Sequence, residues 1–132
     1  MKIYESGENY LETILILKRK NGCVRSVDVA ELMNFSKPSV SRAISVLKGN
    51  GLIFVDDRGF IFLTREGEKI AEQIYERHCF LTKFFVFLGV NEELAKKDAC
   101  RVEHAMSQET FEKLKIFFSE FKGKNWNLEI FF

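Results

Sequence analysis

Proline is almost missing from this chain, with one residue, Pro38, in 132. Nearly every other position keeps its N–H and its freedom in φ, so long uninterrupted helices are allowed. Cysteine is also scarce. Cys23, Cys79 and Cys100 are odd in number and widely spaced, and no secretory signal precedes them. This excludes a disulfide framework and points to reduced thiols in a cytoplasmic protein. No apolar run approaches the roughly 18 residues that span a bilayer, and the N-terminus lacks a signal-type apolar core, so no membrane partner is expected. Neither sign of charge dominates, with 20 Lys and Arg against 19 Asp and Glu for a net +1. Repeats, low-complexity runs and linkers are absent too.

What the chain does have is apolar material, 46% of its residues. That is ample for one compact unit or for two small ones sharing a core. Phenylalanine stands out at 14 copies, ten of them at or beyond Phe80. The C-terminal half thus carries more large apolar surface than one small core needs, and self-association into a homodimer is the plainest use for it. Charge is uneven as well. Between Lys18 and Asn50 lie Lys18, Arg19, Lys20, Arg25, Lys37, Arg42 and Lys48 against Asp28 and Glu31, a local net of +5. Such a stretch can neutralise phosphates, although a solvated charged face is the simpler account of charge alone.

The patterning reads as mainly α. Ser6 is placed to cap a first helix running to about Lys20 with an apolar stripe of Tyr10, Leu11, Ile14, Leu15 and Leu17. Ser26 is placed to cap a short second helix. After the turn Met33-Asn34-Phe35, Ser36 caps a third, with Pro38 in its first turn. Leu52–Val55 and Phe60–Leu63 flank Asp56-Asp57-Arg58-Gly59 and read as a β-hairpin. Thr64 caps a long helix from about Arg65 to Leu88. Asn91 opens another to about Met106, and Ser107 caps a last one to about Phe121. The aromatic tail Gly123–Phe132 is left unassigned.

A short helix, a tight turn, a second helix and then a hairpin is the order of a winged helix-turn-helix, whose second helix enters the major groove N-terminus first. Here that terminus carries Ser36, Lys37, Pro38, Ser39, Ser41 and Arg42. Small side chains permit close approach, and hydroxyl and guanidinium groups supply hydrogen bonds. Arg42 is the best candidate for a base edge, and Arg58 at the hairpin tip for a phosphate. The competing reading is a scaffold or protein-binding domain.

In the C-terminal half, Cys100-Arg101-Val102-Glu103-His104 places a thiol, a carboxylate and an imidazole at i, i+3 and i+4, on one helix face. His78, on the preceding helix, adds a nitrogen if the two helices pack antiparallel. Mixed sulfur, nitrogen and oxygen donors suit divalent first-row ions such as Fe(II), Co(II), Ni(II) or Zn(II). The competing reading makes Cys100 a small buried hydrophobe and Glu103-His104 an ordinary helical pair. A thiol enzyme is disfavoured, because neighbours on one helix leave no oxyanion-binding turn nearby.

From Glu8 to Leu114 the chain resembles the iron- and manganese-dependent repressors typified by the diphtheria toxin repressor and the manganese transport regulator. The resemblance is carried by Glu8–Ile14, Asp28–Glu31, Ser36–Ser41, Leu63–Gly67, Arg77-His78 and Ala99–Ser107. It implies that Cys100, Glu103 and His104 are primary metal ligands of the iron type, and that Glu12 and His78 are ligands of the manganese type. Asn9 stands where relatives carry a methionine or an aspartate, and Thr82 and Lys96 stand where the iron type has ancillary ligands. Pro38, Ser39 and Arg42 match positions that face DNA.

The expectation is then a short two-domain regulator. Residues 1–64 form the winged helix-turn-helix and residues 65–132 a helical metal-binding and dimerisation domain. Its homodimer binds double-stranded operator DNA and represses metal-uptake genes when Fe(II) or Mn(II) bridges the domains, with Co(II), Ni(II) or Zn(II) able to substitute. No catalytic residue and no small organic substrate are expected. The alternatives are a winged-helix regulator with a degenerate, non-switching metal site, and a metal-storage or interaction module that ignores DNA.

Overall fold

The computed structural model describes residues 5–122; the tail from Gly123 lies outside them. Helices α1 (Glu5–Asn21), α2 (Ser26–Met33) and α3 (Lys37–Gly49) are followed by strands β1 (Ile53–Val55) and β2 (Ile61–Leu63). Helices α4 (Arg65–Phe87), α5 (Glu92–Val102) and α6 (Gln108–Lys122) complete the order, and it is mainly helical, as expected. Two compact units divide between Ile74 and Tyr75. Among the described residues no helix is long and apolar enough to cross a membrane.

The first unit packs three helices against a two-stranded antiparallel wing. Leu11 and Ile14 of α1, Val29 of α2, Val40 and Leu47 of α3, and Leu52, Ile53 and Ile61 of the wing are all nearly inaccessible to water. Each contributes about 1.5–3 kcal/mol on burial, which fixes the helices on one another. The wing pairs Ile53 with Leu63, Phe54 with Phe62 and Val55 with Ile61. A bridge from Arg25 to Phe60 adds the chain before α2 to its edge.

That bridge moves one helix start. The cap of α2 is Arg25, not Ser26: its backbone is extended (φ −122°, ψ 163°), and its N–H donates to Asp28 Oδ2 at 2.9 Å. Ser6 lies inside the first turn of α1 instead of before it. Ser36 caps α3 as expected, accepting the Ser39 N–H at 3.3 Å. Asn34, between α2 and α3, takes the left-handed conformation at φ 56°, which asparagine tolerates better than most residues.

Gly67 secures the start of α4. A Cβ there would stand 2.0 Å from the Leu52 carbonyl oxygen, so only glycine lets the helix approach the wing this closely. Thr64 completes the junction. Its N–H donates to Leu52 O at 3.0 Å, its hydroxyl donates to Gly51 O at 2.8 Å, and that hydroxyl accepts from Gly67 N–H at 3.2 Å.

In the second unit, part of the phenylalanine excess becomes core. Phe80 and Phe84 of α4 meet Phe118 of α6 edge-on at 5.7 and 5.5 Å, and Phe80 meets Phe111 at 5.5 Å. Edge-to-face contacts of this kind add roughly 0.5–1.5 kcal/mol beyond burial. Asn91 and Ser107 cap α5 and α6, accepting backbone N–H groups through their side chains. Helix α5 ends at Val102, four residues short of the expected Met106. Glu103 keeps right-handed helical angles as its C-cap (φ −58°, ψ −27°), and a turn follows to Ser107.

Candidate metal centre and nucleic-acid interface

The first turn of α3 carries the hydrophilic edge expected of a groove-reading helix. Lys37, Pro38, Ser41 and Arg42 are exposed, while Val40, Ile44 and Leu47 face the core. A chain of hydrogen bonds organises that edge. Ser36 Oγ donates to Ser39 Oγ at 2.9 Å, and Arg42 Nη2 donates to the same oxygen at 3.4 Å. The guanidinium is thereby held along the helix face, not extended at random. Arg42 also acts on Tyr10 of α1, whose phenol is pushed above its ordinary pKa by burial and pulled partly back by the arginine's charge.

Arg58 is exposed at the wing tip. There Asp56 Oδ1 accepts the N–H groups of Arg58 and Phe60, each at 2.9 Å, leaving the Arg58 side chain to solvent. The local charge count overstates the free cations. Lys18 lies over the Phe62 ring at 4.9 Å and Arg25 over Phe60 at 4.3 Å, and Arg19 pairs with Glu72 at 2.9 Å. These three brace the fold, which leaves Lys20, Lys37, Arg42 and Lys48 of the seven, together with Arg58 at the wing tip.

In the second unit, ligand atoms of Cys100, Glu103 and His104 lie within 4.8 Å of one another. The earlier end of α5 does not disperse them, because Glu103 stays helical in its backbone angles. The Glu103 side chain is wholly buried and the His104 side chain only 3% exposed. His78, from α4, brings Nδ1 to 2.9 Å from Glu103 Oε2, and His104 Nε2 stands 3.3 Å from Oε1. A carboxylate removed from water needs hydrogen-bond donors or a cation beside it. Cys100, Glu103 and His104 form one donor set that suits a divalent first-row ion, while His78 meets the other carboxylate oxygen of Glu103.

The remaining candidate ligands lie in the first unit. Glu12 is buried on α1, and Asn9, one turn earlier, is partly buried. At the ancillary positions, Lys96 is an exposed cation 3.5 Å from Glu92. The Thr82 hydroxyl is buried with no hydrogen-bond partner among the described residues. Neither supplies the carboxylate or imidazole of an iron-type second site.

Sequence reasoning quoted Arg77, beside His78, only as part of the resemblance and gave it no role. Its Nη1 donates to Glu103 O at 3.0 Å and also to Met106 O, and its Nη2 donates to Gln108 Oε1 at 2.8 Å. The last carbonyls of a helix lack intrahelical partners. Helix α5 ends without a glycine, and a donor from another helix was the signal to look for.

Models of two domains match the chain. One, described as iron dependent repressor, N-terminal DNA binding domain, matches residues 2–59. The other, iron dependent repressor, metal binding and dimerisation domain, matches residues 64–131. The transcriptional regulator MntR of Escherichia coli O6:H1 is 38% identical over 110 residues, 83% of this chain and 71% of that protein. An uncharacterised HTH-type transcriptional regulator of Methanocaldococcus jannaschii is 36% identical over 122 residues, 91% of this chain and 98% of its own length. Among solved structures, the manganese regulator SloR superposes with a TM-score of 0.77 at 26% identity, over 90% of this chain and 55% of that one. The chain thus spans about half the length of that structural relative. With both domain models matched in order along it, the chain belongs to the iron-dependent repressor family.

Proposed function

We propose that this protein is a metal-dependent DNA-binding transcriptional regulator, a cytoplasmic repressor of metal-uptake genes and not an enzyme. Residues 1–64 serve as the DNA-binding domain and residues 65–132 as the metal-binding and dimerisation domain. The observation that carries this reading is the buried Glu103 carboxylate with the Cys100 thiol and the imidazoles of His78 and His104 gathered round it. Cys100, Glu103, His104 and His78 hold the ion, Fe(II) or Mn(II), and Glu12 and Asn9 on α1 are the further donors. When bound, such an ion supplies a positive charge that several donors share, and so ties together the elements that carry them.

On the DNA side, Ser36, Lys37, Pro38, Ser39, Ser41 and Arg42 face the major groove and Arg58 meets phosphate. Arg42, steadied by Ser39, reads a base edge. Exposed Ile116 and Phe117 on α6 furnish apolar surface for a homodimer, and two recognition helices suit half-sites about 34 Å apart. Donors that favour one arrangement of the dimer raise DNA affinity to the same factor by which DNA raises metal affinity.

The test is operator affinity measured anaerobically with Fe(II), Mn(II) or Co(II) and with a chelator. Metal is expected to tighten binding at least tenfold, and Arg42→Ala to weaken it by about 1–3 kcal/mol. Equal affinity with and without metal would sink the switch. It would favour the second reading, a winged-helix regulator with a non-switching site, for which the neutral Asn9 and the unsuitable Thr82 and Lys96 speak.

A further inference from the structure

Outside the donors themselves, one side chain organises the metal-binding turn. Arg77 holds three points of the second unit together: the carbonyls of Glu103 and Met106, which bracket His104, and the side chain of Gln108 in the first turn of α6. Its guanidinium also lies 5.4 Å from the ring centre of fully buried Phe111. We infer that Arg77 is a positioning residue for metal binding: it fixes the turn on which Glu103 and His104 are presented, without touching the ion.

The geometry explains why an arginine suits the task. Two nitrogens of one rigid plane reach three acceptors on two sides of the turn, which a single ammonium does not reproduce. One of those acceptors is the carbonyl of Glu103, the C-cap of α5, and the last carbonyls of a helix lack intrahelical donors. Without Arg77 the Glu103 and Met106 carbonyls lose their partner, and the turn is free to relax toward another arrangement of its two ligand side chains. Partners that orient ligands in this way commonly contribute 10–100-fold to metal affinity.

This inference rests on the proposed metal site, and Co(II) separates the two ideas because it reports thiolate ligation through a near-ultraviolet charge-transfer band. The experiment titrates anaerobic wild type, Arg77→Met, Arg77→Lys and Lys115→Met with Co(II). Lys115→Met removes the 2.6 Å ion pair to Glu76 between α4 and α6 and controls for a general loss of helix packing. Wild type is expected to show the band, Arg77→Met to bind about 10–100-fold more weakly, Arg77→Lys several-fold more weakly, and Lys115→Met like wild type. Circular dichroism and metal-free melting establish that each variant is folded at the temperature used. A merely structural Arg77 would lower the melting point and leave the Co(II) affinity of folded protein unchanged. Folded Arg77→Met within twofold of wild type overturns the inference, and if that variant does not fold, Arg77→Lys matching wild type overturns it. Wild type without the thiolate band overturns the site itself.

Discussion

Gly67 and Glu103 are both buried, for opposite reasons. Gly67 is there because nothing larger fits: the Leu52 carbonyl occupies the space where a Cβ would stand. Gly67→Ala is therefore expected to cost about 2–3 kcal/mol by overpacking, despite alanine's better helix propensity. Urea unfolding checks this, and an unchanged midpoint would show that the junction yields. Glu103 is there, on the proposed reading, as a metal ligand. Its carboxylate contacts two imidazoles and lies close to a thiol, and the composition of Cys-x-x-Glu-His already pointed to that role. The role of Arg77 was not legible in the same way. An arginine's partners lie in three dimensions, here 26 to 31 positions along the chain, and local patterning is blind to them.

Tyr10 of α1 feels the charge of Arg42 on α3, and a pH dependence of stability is expected from it. Burial raises the Tyr10 pKa above 10.0, and the nearby charge of Arg42 opposes the rise without cancelling it. A raised folded-state value means that the unfolded chain loses this proton first. The contribution is complete below the unfolded pKa and disappears as pH climbs through the folded one. Stability should accordingly fall as pH rises past 10.0. Tyr10→Phe should fall less steeply, as followed by denaturant midpoints across that window. Parallel slopes would remove Tyr10 as the cause. Lys115, raised first of all by its hydrogen bond to Glu76, acts in the same direction, which is why the comparison is between variants. At this scale most boundaries were readable, because Ser36, Asn91, Ser107 and Gly89 act through neighbours a few residues away. The exceptions involve distant groups: the cap of α2 is a residue bridged to Phe60, and just beyond α5 Arg77 takes the carbonyls of Glu103 and Met106.

For the molecule as a whole, the phenylalanine count proved to have two destinations. Phe111 and Phe118 are buried in the core of the second unit with half-buried Phe80 and Phe84 packed on them, whereas Phe117 is 55% exposed beside Ile116 on α6. Periodicity finds both sets but does not say which face a partner covers. Phe117→Glu is expected to shift the protein from dimer toward monomer in sedimentation while leaving its helical content intact. Dimerisation unaltered by this charge would place the interface elsewhere. The basic stretch also divided, with Lys18, Arg19 and Arg25 engaged in holding the fold, a distinction that charge counting alone does not make.

The reach of Arg77 also sets an order of events in time. A growing chain contains Cys100, Glu103 and His104 before it contains Gln108 or Phe111, so the three donors exist before the contacts that orient their turn. Closing a loop of this length has to be offset by packing of the later helix. On the proposed reading, full affinity for the ion is thus a property of the finished fold. The same coupling would run in reverse once the chain is folded, an ion held by the proposed site raising the resistance of the unit to unfolding.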